Sequence, residues 1–355
     1  FSMDAKETSP LQTLEKFNVK ERVLGARDRI REGRDGRVNL IYFDNCSGVK
    51  LQGFEMYRSA SWTCHLRDCD NVEISDCVIN NNFYVANTDG IDIVGCQEVK
   101  VEHCFIVTGD DGIVIKANSN ENVENISVKS CKIMSLANNF KIGTETSRNV
   151  KGISVEDCDF FMAGLVGGYS GIAIESADGS NISNVNISQI RMNGVSSPLL
   201  IWLGNRLEKK NGSDGTTVGS IEDINISDVY CDNVELPSAI VGVKSKREPY
   251  CVKGVNLKDF YIRYRDTQEN LNVKVPPLES GMNGYPEITR VSHKYLISHE
   301  MSEYYDLPVY GLYLRYVNGL SVDNFNVISR RCSKLDLWNV DGDLAENVSN
   351  VNIKK

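Results

Sequence analysis

Four segments of the chain carry side chains able to do acid–base chemistry, and they align position for position. They read Asp89-Gly-Ile-Asp-Ile, Asp111-Gly-Ile-Val-Ile, Asn138-Asn-Phe-Lys-Ile and Ser170-Gly-Ile-Ala-Ile, at intervals of 22, 27 and 32 residues. Alternate side chains of a strand share a face, so the Ile positions should turn inward together and the positions between and after them outward. That predicts one outward column of Asp92, Val114, Lys141 and Ala173, and a second of Val94, Lys116, Gly143 and Glu175. Asp89 and Asp111 stand at the entrances of neighbouring strands, with Asp110 beside Asp111. Three carboxylates are therefore expected on one outer face. Like charges that close raise the pKa of at least one member. Hydrolysis of a glycosidic bond needs such a split, a protonated acid for the leaving oxygen and an ionised base for water. Asp-rich turns and a calcium site are the alternatives that spacing alone leaves open.

Such a face needs elements that return to the same place coil after coil. Cys77, Cys104, Cys131 and Cys158 are each 27 residues apart and close similar phrases, VEISDC, VKVEHC, ISVKSC and ISVEDC. VNISQI at 185–190, INISDV at 224–229, VNLKDF at 255–260 and LSVDNF at 320–325 keep the phrase without the cysteine. A recurring period in this range means one supersecondary unit stacked on itself. The phrases alternate apolar and polar residues, are β-branched and are bounded by Asn, Gly and Asp, which is the pattern of short strands between turns. The prediction is an all-β solenoid, a parallel β-helix. The four cysteines would stack as buried free thiols, one coil above the next by roughly 4.8 Å. Disulfide and zinc readings are the alternatives, though no CxxC pair occurs among the eleven cysteines.

One domain is expected over 37–355. Residues 1–36 are charged and non-repeating and read as an N-terminal cap or extension. LEKKNGSDGTTVGS at 207–220 reads as a loop, and 264–305 as a long insertion.

The chain has 355 residues, 41% hydrophobic and 25% charged, with a net charge of −9. That balance makes a poor nucleic-acid or anionic-membrane binder by default, because the phosphate attraction needs Lys and Arg. No run of about 18 apolar residues is present to span a membrane. Phe1–Ser9 lacks the basic start and apolar stretch of a signal peptide.

NTDGID at 87–92 followed by GDDGI at 109–113 resembles glycoside hydrolase family 28, the polygalacturonase family, and so do IYFDNC at 41–46 and SASWT at 59–63. The resemblance runs from about Arg37 to the C-terminus. It implies a right-handed parallel β-helix that hydrolyses a pectic poly- or oligosaccharide with inversion, without cofactor or metal. It also implies Asp110 as general acid, with Asp89 and Asp111 holding and activating the water. A polymer-degrading enzyme of this kind is expected to be secreted or periplasmic, and a monomer.

The departures from the family are specific. Where it carries Gly-His-Gly this chain has Ala137-Asn138-Asn139, and where it carries Arg-Ile-Lys this chain has Ala173-Ile174-Glu175. The Arg and Lys of that motif hold a galacturonate carboxylate through charge-assisted bonds. Lys116 and Lys141 could supply a relocated clamp. FKIGTE at 140–145 and WLGNR at 202–206 are similar to a bacterial branch of the family. An exo-acting enzyme, or one for decorated or mixed chains such as rhamnogalacturonan, is therefore expected over a plain endo-polygalacturonase. The expected substrate contacts are Asp92, Lys116, Lys141, Glu175, His65, Asn138, Trp202 and Arg206, with Glu145 and Asp178 at the rim. His65 is placed in the column of Val94 and Lys116. His103 is read as a turn residue, and His293 and His299 as residues of the insertion. A polysaccharide lyase and a non-catalytic carbohydrate-binding solenoid are the rival readings.

Overall fold

The computed structural model describes residues 36–83, 85–162, 169–234, 236–244, 249–265, 311–328, 337–338 and 348–354. The expected cap lies outside these residues save for Gly36, as does the 264–305 insertion after Arg265, with His293 and His299.

The chain winds as a right-handed parallel β-helix, the hand that parallel crossovers adopt in nearly every case. Among the described residues, one wall is a sheet of ten parallel strands, which includes Ile41–Asp44, Cys64–Arg67, Ile91–Val94, Ile113–Ala117, Phe140–Thr146, Ser170–Ser176 and Ser197–Leu203 in that spatial order. The other wall is a sheet of fourteen strands among the described residues. In its early coils that wall is two short strands, such as Gln97–Glu102 and Phe105–Thr108. From Val150–Phe161 onward the two fuse into single long strands.

The turn chemistry explains the corners. Asp76, His103, Ser130, Asp157, Gln189, Asp228, Asp259 and Asn324 all have φ between 50° and 57° and fall at equivalent points of successive coils. Asn and Asp tolerate this left-handed conformation best because their short side chains bond locally. His103 is thus a corner residue, as its place in the repeat implied.

One residue on from each corner points inward. The backbone N–H groups of Phe105, Lys132 and Asp159 donate to the carbonyls of Cys77, Cys104 and Cys131, which stacks the four cysteines on consecutive coils. Above Cys158 the same column continues as Ile190, Val229, Phe260 and Phe325. The four thiols are buried, and all ten cysteines among the described residues are free. Cysteine serves here as a small buried hydrophobe in a column that larger apolar residues continue.

The two walls differ in what faces outward. Val252–Tyr264 of the long sheet alternates buried and exposed residues over most of its length, as a half-wetted sheet must. Ile91–Val94, Ile113–Ala117 and Ser170–Ser176 are buried on both faces. Their outward residues include Asp92, Lys116 and Glu175, so polar groups are packed against one another out of water. No helix among the described residues is long and apolar enough to cross a membrane.

Candidate active site

Register confirms the first predicted column: Asp92 pairs with Val114, Val114 with Lys141 and Lys141 with Ala173. His65 departs from expectation. Cys64 aligns with Ile91, so His65 sits beside Asp92, and Arg67 takes the place next to Val94. The strand begins one residue before the histidine, which moves it to the first column.

Between Ile115 and Ala117 the pairing slips, and Ala117 faces Thr146. The extra residues on the upper strand bring Glu145 within 3.7 Å of the Lys116 ammonium. Gly143, at φ 118°, makes this possible: a Cβ there would stand 2.8 Å from the Glu175 Cβ.

Asp89, Asp110 and Asp111 converge as predicted, with one oxygen of each within 4.8 Å of the others. Asp110 is the most exposed of the three. Its Oδ2 accepts the Asn87 N–H at 2.9 Å and its Oδ1 the Asp111 N–H at 3.2 Å. Its carbonyl accepts the Thr108 and Ser135 hydroxyls, each at 2.6 Å, which locks the turn. Asp111 Oδ1 accepts the Asn138 backbone N–H at 3.0 Å and the Asn138 amide at 2.8 Å. Its Oδ2 lies 3.4 Å from the Lys141 ammonium. Asp89 Oδ2 is 3.7 Å from Lys116, while its Oδ1 is buried without a hydrogen bond.

The remaining expected contacts mostly lie one layer below. Lys116, 4% exposed, is 3.1 Å from Asp92 and sits 3.7 Å over the Trp62 ring. Lys141, 2% exposed, reaches Glu175 at 3.7 Å, and Glu175 accepts the Thr144 hydroxyl at 2.9 Å. Asn138 is fully buried and positions Asp111. The Arg206 guanidinium is spent on Asp178, which also accepts the Glu208 N–H and the Asn211 amide at 2.9 Å each and so anchors the 207–220 loop. Trp202 pairs with Glu175 and is half-buried. His65 Nδ1 lies 2.9 Å from the Asn39 amide. Its ring lies 4.7 Å from those of Tyr42 and Trp62. Trp62, Asn87 and Thr144 were not singled out by sequence. Each nevertheless lies in a motif quoted above, Trp62 in SASWT, Asn87 in NTDGID and Thr144 in FKIGTE.

Burial governs the electrostatics. It lifts Asp89 well above the usual carboxylate range, aided by Asp92 and opposed by Lys116. It pushes Asp92 to about 7 and raises Glu175, with Lys116 and Lys141 respectively opposing. Burial and then Lys116 lower His65 to about 4, so it is neutral near pH 7. Burial would lower Lys116, but Asp92, Glu145 and Asp89 outweigh it and hold the ammonium charged. Glu145 goes the other way, held down by Lys116, Lys141 and Arg206 against its burial.

A stability profile follows. Between about pH 4 and pH 7 the folded chain holds a proton on Asp92 that the unfolded chain has released. The unfolded state then binds fewer protons, so stability falls as pH rises through this window. Thermal unfolding in reducing buffer should show a lower Tm at pH 8 than at pH 5, and Asp92→Asn should flatten the slope. A slope unchanged by that substitution refutes the assignment.

The three aspartates also form the one group of described acidic, His or Cys residues whose spacing would suit a metal ion. Oxygen-only ligands of this kind suit a hard cation such as calcium.

A family model described as glycosyl hydrolases family 28 matches residues 29–279. An endo-polygalacturonase of Pectobacterium parmentieri is 27% identical over 255 residues, 71% of this chain and 51% of that protein. A probable polygalacturonase of Arabidopsis thaliana is 33% identical over 96 residues, 27% of this chain and 21% of the relative. The matched part of the chain thus spans between about a fifth and a half of these relatives' own length. Among solved structures, the polygalacturonase from Erwinia carotovora ssp. carotovora superposes with a TM-score of 0.52 at 23% identity, covering 66% of this chain and 60% of that one. The family 28 exopolygalacturonase of Yersinia enterocolitica gives 0.58 at 15% identity, covering 86% and 46%. Both likenesses are of fold.

Proposed function

Because the chain belongs to glycoside hydrolase family 28, we propose that it hydrolyses a glycosidic bond in a pectin-type poly- or oligosaccharide. The observation that carries this reading is the trio Asp89, Asp110 and Asp111, gathered within 4.8 Å on two neighbouring coils. Asp110, the member nearest solvent, gives its proton to the leaving oxygen. Asp89 and Asp111 hold the water and take its proton as it attacks the anomeric carbon. Burial raises the proton affinity of Asp89, so it takes the water's proton only in its ionised form, and Asp111 shares that step. Asn138 and Lys141 fix the Asp111 carboxylate, and Asn87 fixes Asp110.

We place the attack with inversion. The chosen oxygens lie within 4.8 Å of one another, closer than the roughly 6.5–9.5 Å between carboxyl groups common to inverting enzymes. The anomer formed first, read by proton NMR, therefore decides the point, and a retained anomer overturns it. The half-exposed Trp62 and Trp202 offer apolar faces for sugar rings. Together with the Ala173 and Glu175 exchanges they favour an exo-acting enzyme or one for mixed chains. A polymer substrate cannot enter a cell intact, so the proposed location is secreted or periplasmic, checked by fractionating the host. A monomer is proposed, checked by light scattering.

The test is a panel of polygalacturonate, rhamnogalacturonan and short galacturonides, with reducing ends and ultraviolet absorbance followed together. New reducing ends without absorbing product, unchanged by EDTA, are expected. An absorbing product that requires calcium would make the protein a lyase. Binding without any turnover would make it a carbohydrate-binding solenoid.

A further inference from the structure

We propose that Arg37 is a positioning residue for the general acid: by clamping the turn at Ala86 and Asn87, it fixes the backbone N–H group that orients the Asp110 carboxyl. This rests on the hydrolase reading above and adds to it a residue three coils before the acid.

The first ground is a shared corner of the solenoid. Arg37, Ala60, Asn87 and Asp110 lie just ahead of four consecutive strands of the ten-stranded wall, Ile41–Asp44, Cys64–Arg67, Ile91–Val94 and Ile113–Ala117. Successive coils therefore stack them in one column. Nη1 of Arg37 donates to the carbonyls of Ala60 at 3.0 Å and Ala86 at 2.5 Å, and Nη2 donates to Asn87 Oδ1 at 2.9 Å. The Asn87 N–H in turn donates to Asp110 Oδ2 at 2.9 Å. A hydrogen-bonded path thus runs from the first of these coils to the acid on the fourth.

How the turn is held supplies the second ground. Ala86 and Asn87 lie in a turn outside the strands, and Asn87 has φ 60°. Asn visits this left-handed conformation because its short side chain can bond locally, yet here the side-chain oxygen goes to Arg37. The direction of the Asn87 N–H is therefore tied to the guanidinium. The same turn is moulded onto the acid segment. A Cβ on Gly109 would stand 2.5 Å from the Val85 carbonyl oxygen, 2.7 Å from that of Asn82 and 2.8 Å from that of Phe83. The Gly109 N–H donates to the Thr88 hydroxyl at 3.2 Å. A shift of the turn would carry directly into Gly109 and Asp110.

The third ground is the chemistry of Arg37 itself. Its three acceptors are uncharged oxygens, whereas Arg191, Arg206 and Arg263 are each held by aspartate. Its Nε is buried without a hydrogen bond, which costs free energy. A planar fork can serve acceptors on two coils at once, which the compact ammonium of lysine cannot match. Arg37 is only half-buried, so direct contact with an anionic sugar is the rival role, and kinetics separate the two.

The experiment compares Arg37→Gln with the wild type on two substrates. One is the oligogalacturonide or rhamnogalacturonan oligosaccharide that the wild type cleaves. The other is a nitrophenyl glycoside of the same terminal sugar, whose leaving group departs without a proton. A displacement of about 1 Å can cost about a hundredfold, so kcat on the oligosaccharide should fall about tenfold to a hundredfold. KM should stay within about twofold, because substrate binding is untouched. On the nitrophenyl glycoside the loss should all but vanish. Beside Asp110→Asn, Arg37→Gln should cause no further loss, since residues that act through one group are not additive. Arg37→Lys keeps the charge without the fork; it should fall between, and it carries the test if Arg37→Gln does not fold.

A loss equal on both substrates, or one that persists beside Asp110→Asn, would mean that Arg37 only supports the fold, and overturns the inference. A raised KM with unchanged kcat would make Arg37 a substrate contact and overturns it too. Wild-type kcat in Arg37→Gln overturns the inference alone. A wild type that cleaves nothing in the panel overturns the hydrolase reading, and the inference with it.

Discussion

Asp110→Asn will bind substrate and turn it over about 10²–10⁴-fold more slowly, the usual worth of a positioned general acid. The amide preserves shape and still accepts the Asn87 N–H, so circular dichroism and Tm should stay near those of the wild type. The decisive comparison is between leaving groups. An aryl glycoside whose phenol departs without protonation should be cleaved by Asp110→Asn far better than the polysaccharide is. Asp89→Asn should not discriminate between them, since it removes the base, and added azide should restore part of its activity. One observation favours the reverse assignment: Asp110 receives two backbone N–H groups, whereas burial makes Asp89 hold its proton. If Asp89→Asn is the variant spared by a good leaving group, the two residues exchange roles.

Lys116→Met should be the most damaging single change to stability near the site. Methionine keeps the length of the chain against Trp62 but removes the charge that Asp92, Asp89 and Glu145 all face. Breaking a buried ion pair from one side costs about 3–5 kcal/mol, against a total stability of about 5–15 kcal/mol. The deficit should be greatest above about pH 7, where Asp92 must ionise without its partner. It should narrow toward pH 4, where a protonated Asp92 no longer needs one. Denaturant midpoints measured at the two pH values test this, and a deficit independent of pH would mean that Lys116 acts by packing alone. Activity should fall with stability, since Asp89 loses the cation that steadies it.

How much of this was legible beforehand depended on whether a feature followed from the repeat. Asp89, Asp110 and Asp111 could be brought together on paper because a period of two within strands and about one coil between them leaves little freedom. The Cys77 to Cys158 column was readable for the same reason. His65 was misplaced by two residues because nothing in Trp62-Thr63-Cys64 says where the strand begins. Glu145 was only a rim candidate, since its approach to Lys116 depends on a slip after Ile115 that the alignment of Ile with Ile hides. The alignment gave Lys141 and Glu175 as outward residues, which was correct for the strand. It could not show that outward here still means buried, because burial depends on residues distant in sequence, such as Trp62 against Lys116.

The cysteine column carries a consequence for how the molecule ages. While folded, its thiols are buried away from oxidants in solution, each beside the next. Once the chain opens in an oxidising medium, up to eleven thiols become free to cross-link in pairings that the fold never uses. Return would then be barred, and the working lifetime outside a reducing environment would be set by the rate of first opening instead of any balance between folded and open forms.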